Sequence, residues 1–231
     1  MLLAQAEAAL RAGQLERALE HCAASGASAA WGLRGAALLR LGRLEAAAEA
    51  FQTALAAAPE DAADAPSLLL QLAQTQRYRG AFGEAERALE RAARLAREAR
   101  DGGLLLAVRC GEGEVALAEN DPRRALLRFG EARGLAERAR DERLSVLPLA
   151  GLGEAQARAG FAAKGARMAA KALERARAHR DPFGTARALL ALGVATGSSE
   201  RLQEAEASAL ELPHAPLAAL ARRSREALEG R

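Results

Sequence analysis

Aromatic side chains are scarce in this chain of 231 residues: five Phe, one Trp and one Tyr make up 3% of it. Isoleucine is missing, and asparagine occurs once, at Asn120. A sheet protein draws its core from Val, Ile, Thr and aromatics, so their shortage argues against a β fold. Cys22 and Cys110 stand alone with no C-x-x-C, which excludes a disulfide framework and reads as two small buried residues in a reducing compartment. His21, His179 and His214 lie far apart, with no partner at metal-ligand spacing, so no metal and no cofactor are expected. No apolar run approaches the roughly eighteen residues of a membrane span. The opening MLLAQAEAALRAGQ has no basic leader, long apolar core or cleavage site. A cytoplasmic location is the expectation. Neither G-x-x-x-x-G-K-[ST] nor G-x-S-x-G occurs, and the glycines of GEGEVALAEN fall in mid-helix after no strand. An enzyme is not expected.

What the chain does have is alanine and leucine. Half of its residues are hydrophobic, and small side chains at helix-favouring positions let helices approach closely. The absence of Ile, with Lys only at 164 and 171, suggests a GC-rich bacterial genome. The formal net charge is +3, with 33 basic and 30 acidic residues. Arg and Glu alternate along the helices and do not collect in runs, so the charge speaks for solubility more than for nucleic acid. Arg87, Arg91 and Arg94 share one predicted helix face, as do Arg124 and Arg128. Glu84, Glu86, Glu90 and Glu98 offset the first group, and few aromatics exist to stack on bases. Neither nucleic acid nor membrane is an expected partner.

One stretch orders the rest. Between Trp31 and Pro59, the residues Trp31, Gly35, Leu38, Gly42, Ala47, Phe51, Ala54 and Pro59 match the pattern W-x2-L-G-x2-Y…A-x3-F…P, with Arg34 and Leu38 in the Leu and Tyr slots. The stretch resembles a tetratricopeptide repeat, a helix, a tight turn and a second antiparallel helix. The residues before it fit a degenerate copy around Gly13, Leu15, Ala18 and Cys22. That copy leaves Leu2, Leu3 and Leu10 uncovered, either as a tolerated end, a homodimer surface on the N-terminal helix or a trimmed edge. After the Asp, Ala and Pro stretch at 60–67, a restart is expected at Ser67 as an N-cap.

From there the period is 40. Ala73, Gly113, Gly153 and Gly193 recur at one first-helix position, Gly80, Asn120 and Gly160 at the turn, and Arg100-Asp101, Arg140-Asp141 and Arg180-Asp181 at the junctions. The Asp residues are expected to cap helices, with Pro122 and Pro182 in the first turn. The preceding Arg is expected in the last turn of the outgoing helix. The six extra residues are expected to add about three per helix, roughly 4.5 Å each. Ser199 is expected to cap the helix near Glu200, and 217–228 to form a final helix with one polar side. Repeats of this length are similar to those in sensor regions of some bacterial activators and in kinesin light chains.

The fold class expected is therefore all-α: a right-handed tetratricopeptide-like superhelical solenoid of antiparallel helix pairs in one domain, 1–231. Its repeats are approximately 1–28, 29–60, 66–101, 102–141, 142–181 and 182–212, with a capping helix at 215–229. The resemblance implies a concave groove lined by positions 2, 5, 9, 12 and 13 of each first helix. Carried over, these give Leu70, Gln74, Arg77, Tyr78, Cys110, Glu114, Glu154 and Arg158, with Arg40 further along. Glu114 and Glu154 sit at equivalent places on consecutive repeats and would present a paired negative site to a basic peptide. On the alternative reading, Glu154 pairs with Arg158 at i+4 and Glu114 is solvated. Lys, Arg and Asn are missing from most of the positions used by the family's carboxylate clamps, so a clamp is not expected. The resemblance implies a non-enzymatic protein- or peptide-binding adaptor or scaffold. A ligand- or peptide-sensing module of a bacterial regulatory system is the alternative.

Overall fold

A computed structural model of the chain describes residues 1–25, 29–57 and 62–230. Pro59, the last residue of the repeat pattern, lies outside the described residues. Among those described, the regular elements are all helices. They are α1 (Leu2–Arg11), α2 (Leu15–Ser25), α3 (Ala30–Arg40), α4 (Leu44–Ala57), α5 (Ala65–Arg79), α6 (Phe82–Glu98), α7 (Gly102–Ala118), α8 (Pro122–Ala139), α9 (Val146–Arg158), α10 (Ala162–Ala178), α11 (Pro182–Thr196), α12 (Ser199–Glu211) and α13 (Ala215–Glu229). The all-α expectation holds. Pairs are closed by short turns at Gly13, Gly42, Gly80, Asn120 and Gly160, where φ is 73°, 77°, 79°, 59° and 90°. Asparagine stands in for glycine once because its short polar side chain tolerates the left-handed region.

The helices gather into two compact units. One comprises Met1–Glu98 with Pro213–Pro216, the other Ala99–Leu212 with Leu217–Arg231. Within the first, α1 packs on α3 and α3 on α5; within the second, α7 packs on α9 and α9 on α11. First helices thus lie side by side in each unit, and α2, α4, α8 and α10 each pack between successive first helices.

The recurring first-helix glycine has a steric cause. A Cβ at Gly35 would meet the Phe51 ring at 2.7 Å, and one at Gly113 the Phe129 ring at 2.7 Å. Both rings are fully buried, each burial stabilising by about 2–3 kcal/mol. In the α9–α10 pair the approach is backbone to backbone: a Cβ at Gly165 would sit 2.4 Å from the Gly153 carbonyl oxygen. Alanine then suffices where an aromatic fills the space elsewhere, and Ala169, Ala172 and Ala176 are fully buried.

Junction chemistry follows the expected pattern with three corrections. Asp101, Asp121 and Asp181 accept hydrogen bonds from the backbone N–H of Leu104, Arg124 and Gly184 at 2.9, 3.0 and 2.9 Å. Asp141 accepts from Arg143 N–H at 2.9 Å. The arginines before them are not in the last helical turn. Arg100, Arg140 and Arg180 have φ of 51°, 52° and 51°, the left-handed position that ends a helix. Helix α5 does not restart at Ser67. It begins at Ala65 with Pro66 in its first turn, where the missing N–H would have had no partner anyway. Ser198, not Ser199, caps α12, its hydroxyl accepting from Arg201 N–H at 3.2 Å.

The extra residues are not divided evenly. Helices α3 and α4 have 11 and 14 residues, whereas α7 and α8 have 17 and 18. Before α9 the extra length is wound as a 3-10 turn, Glu142–Ser145. Pro148 explains the change, since its ring clashes with the carbonyl of Leu144 in a continuous α-helix. Helix α13 buries Leu217, Ala218 and Ala221 against the α11 and α12 residues of the second unit and leaves Arg223 exposed, the one-sided pattern of a terminal helix.

Candidate functional site

In the first unit the expected groove residues lie on α5. Leu70, Gln74, Arg77 and Tyr78 are all partly exposed. They occupy the face of the helix away from Leu69, Leu72 and Gln76, which are buried. The Arg77 guanidinium lies 4.1 Å from the centre of the Tyr78 ring, a stack that holds both side chains in place. Tyr78 in turn meets His214 edge to face, with ring centres 6.1 Å apart. Burial, with Arg40 and Arg77 nearby, pushes the His214 imidazole down to about 4 against a weaker backbone hydrogen bond. It is therefore neutral at pH 7.

The corresponding row in the second unit is built differently. Cys110 is buried, as are Ala150 and Leu190 at the same repeat position. Burial raises the Cys110 thiol and Glu114 adds to the effect, with Arg187 opposing, so this cysteine is no nucleophile. Glu114 and Glu154 are brought together as the spacing requires, but they do not stand open. Arg187 of α11 lies between them, its Nη2 2.8 Å from Glu114 Oε1 and 2.8 Å from Glu154 Oε2. Its Nε also donates to Glu114 at 2.8 Å. Arg158 donates to Glu154 at 2.5 Å and to the Leu117 carbonyl at 2.9 Å.

Side-chain exposure is 4% for Arg187, 3% for Glu154 and 20% for Glu114. Burial disfavours ionisation of Glu154, but Arg187 and Arg158 outweigh it and hold the carboxyl below its ordinary range. The same balance keeps Arg187 charged: burial works against it, and Glu114 and Glu154 prevail. Two arginines and two glutamates cancel here, and the pairing of Glu154 with Arg158 is one edge of a larger network. Glu154 is an interior residue.

Sequence reasoning did not single out Arg187. A signal was present: it is the one charged residue in the apolar run FGTARALLALGV, at position 2 of its repeat. Arg40 and Arg158, placed at the groove edge by analogy, share a structural duty. Arg40 donates to the Leu10 carbonyl at 2.7 Å, as Arg158 does to Leu117, so each ties a first helix to the carbonyl end of the one before. Among the described residues, no group of three or more His, Cys, Asp or Glu side chains could hold a metal ion. No described helix is long and apolar enough to cross a membrane.

Residues 28–61 match the tetratricopeptide repeat family model. The chain carries a tetratricopeptide repeat. Solved structures extend the tetratricopeptide likeness in fold well beyond those residues. A Rap protein complexed with Competence and Sporulation Factor aligns with 99% of this chain and 74% of its own, at TM-score 0.71 and 12% identity. BtubC (BKLC) from P. vanneervenii aligns with 100% and 93%, at TM-score 0.59 and 17% identity. A signal-transduction ATPase with numerous domains, carrying a tetratricopeptide repeat sensor, from Pyrococcus horikoshii aligns with 95% of this chain and 36% of its own. Its TM-score is 0.62 and its identity 16%. No curated protein matches the sequence.

Proposed function

We propose that this chain is a non-catalytic, cytoplasmic protein- or peptide-binding module, an adaptor or assembly scaffold that holds its partner on the first-helix face. The observation that carries the reading is the partly exposed row Leu70, Gln74, Arg77 and Tyr78 on α5. It joins an apolar side chain, an amide and a pre-stacked cation–aromatic pair, the mixture that seats peptide backbone and side chains alike. Cys110, Glu114, Glu154 and Arg158 shape the corresponding face of the second unit. Of these, Glu114 and Arg158 retain the exposure that a partner needs. A basic partner residue there competes with Arg187 for Glu114. Contact through α1 with a second copy remains part of the proposal, tested by sedimentation.

The second reading is a sensor that changes state on binding a peptide or small ligand. The Rap complex with Competence and Sporulation Factor and the Pyrococcus horikoshii sensor support it, since both share the fold.

The test is photo-crosslinking in the source cells. A crosslinking residue at Gln74 should capture a discrete protein or peptide, and one at Glu49 on α4 should not. Equal capture from both positions, or none from Gln74, removes the groove as the binding face. A captured small peptide whose binding alters hydrogen exchange across α1–α6 favours the sensor over the scaffold.

A further inference from the structure

A cleft of about 610 Å³ opens on the other side of the first unit, between second helices α4 and α6. Leu55 and Ala56 of α4 form one wall, Arg87 and Arg91 of α6 the other, and Leu69 and Leu72 of α5 the floor. The volume is that of a ligand pocket. Its residues are distinct from the Leu70, Gln74, Arg77 and Tyr78 row, because positions 69, 72 and 76 point to the opposite side of α5.

The charges in this cleft are unsatisfied. Among the described residues, the side chains of Arg87 and Arg91 form no ion pair or hydrogen bond, although Glu84, Glu86 and Glu90 lie within four positions of them in sequence. The offset expected from interleaved charge is not realised as pairing. The outer arginines of α7 and α8 behave otherwise. Arg109 reaches Glu112 at 2.7 Å and Glu131 at 2.9 Å, and Arg128 reaches the same two at 3.3 and 3.2 Å. That ring closes on itself, whereas the α6 pair faces open space over an apolar floor.

We propose that this cleft is a second binding site, and that it takes an extended acidic segment of a partner protein with the alternation acidic, apolar, acidic. Arg87 and Arg91 are one helical turn apart, about 6 Å. Side chains two apart in an extended strand are spaced by about 6.6 Å on one side, and the residue between them points the other way. Two carboxylates therefore meet Arg87 and Arg91 while the intervening Leu or Met packs on Leu55 and Ala56. Gln52 offers an amide at the cleft, and Glu84, one turn before Arg87, repels a third carboxylate at that end. A duplex nucleic acid fits less well, because it needs cations along a surface, and these two stand over an apolar floor with Glu84 beside them.

The test is fluorescence anisotropy with three labelled probes: a short peptide alternating Glu and Leu, the same peptide with Lys for Glu, and a generic DNA duplex. The acidic peptide should bind, weaken several-fold between 50 and 200 mM salt, and lose at least tenfold affinity in the Arg87→Gln/Arg91→Gln variant. The Gln74→Arg/Tyr78→Ala variant should bind it unchanged, which separates this site from the first-helix groove. Circular dichroism of each variant should match the wild type, and Arg94→Gln, a neighbour outside the cleft, serves as the charge-loss control. The proposal is overturned by a loss of less than twofold in the Arg87/Arg91 variant, by an equal loss in the Arg94 variant, or by tighter binding of the DNA or the Lys peptide. No binding of the acidic peptide at millimolar concentration overturns it as well.

Discussion

The two units use one repeat plan and finish it in opposite ways. On the first-helix face of the second unit, position 5 is buried in Cys110, Ala150 and Leu190, and the position-9 glutamates are locked to Arg187. On the same face of the first unit, Leu70 and Gln74 stay partly exposed, and Arg77 stacks on a tyrosine ring. The second helices repeat the contrast: Arg128 and Glu131 of α8 close a ring with Arg109 and Glu112 of α7 in the one, and Arg87 and Arg91 of α6 are unpaired among the described residues in the other. Where charges are satisfied within the chain they hold helices together. Where they are not, they are available to a partner. The repeat fixes where a side chain stands, and its neighbours decide whether it can be used.

The largest test of this contrast is to remove the residue that closes the second unit. Arg187→Met leaves Glu114 and Glu154 facing each other with only Arg158 against Glu154 and should cost about 3–5 kcal/mol, the range for breaking a buried pair. Urea unfolding followed by circular dichroism measures it. Adding Glu114→Leu and Glu154→Leu should recover most of the loss, because the desolvation cost disappears with the charges. A loss under about 1 kcal/mol for Arg187→Met would mean that the network contributes no more than a surface pair.

Next in size is the backbone contact of α9 with α10. Gly165→Ala forces a methyl against the Gly153 carbonyl and should destabilise by about 1–3 kcal/mol. Gly80→Ala in the first unit meets nothing within 4 Å and should lose stability only through its left-handed backbone, by about 1 kcal/mol.

Acid should separate the two units. His214, in the first, has its folded value lowered from 6.5 to about 4. Its unfolded form therefore takes up a proton first, and stability falls as pH drops from 6.5 towards 4. His214→Phe should flatten that portion of a stability–pH curve. Glu154, in the second unit, has its folded value lowered from 4.5. Its contribution is complete above 4.5 and is lost as pH falls through the lower folded value. Amide exchange measured from pH 7 downward should show the residues around α5 loosening before those around α9, and the reverse order would break the comparison.

The smallest effect belongs to the junctions. Arg140→Gly relieves a left-handed residue at the end of α8 and should raise thermal stability by up to about 1 kcal/mol, seen as a melting shift of a few degrees.

Much of the helix plan was legible because it is local. Turn glycines, capping aspartates and the 40-residue recurrence act within a few residues of themselves, so Asp101, Asp121 and Asp181 could be assigned from spacing alone. The misjudged boundaries show the limit of that logic. Pro66 reads equally well as a stop or as a first-turn residue, Ser198 and Ser199 offer the same hydroxyl one residue apart, and Pro148 diverts its helix start into a 3-10 turn.

The linear chain also determined that helices would pack through alanine and glycine, because period and side-chain size are written residue by residue. Tertiary structure alone decided which charges would be spent. Arg187 and Glu114 are 73 residues apart, and only the stacking of α7, α9 and α11 brings them within hydrogen-bonding distance. Arg87 has carboxylates beside it in sequence and, among the described residues, none paired with it in space. Charge pairing at that range depends on where packed helices aim their side chains, and no periodicity records that direction.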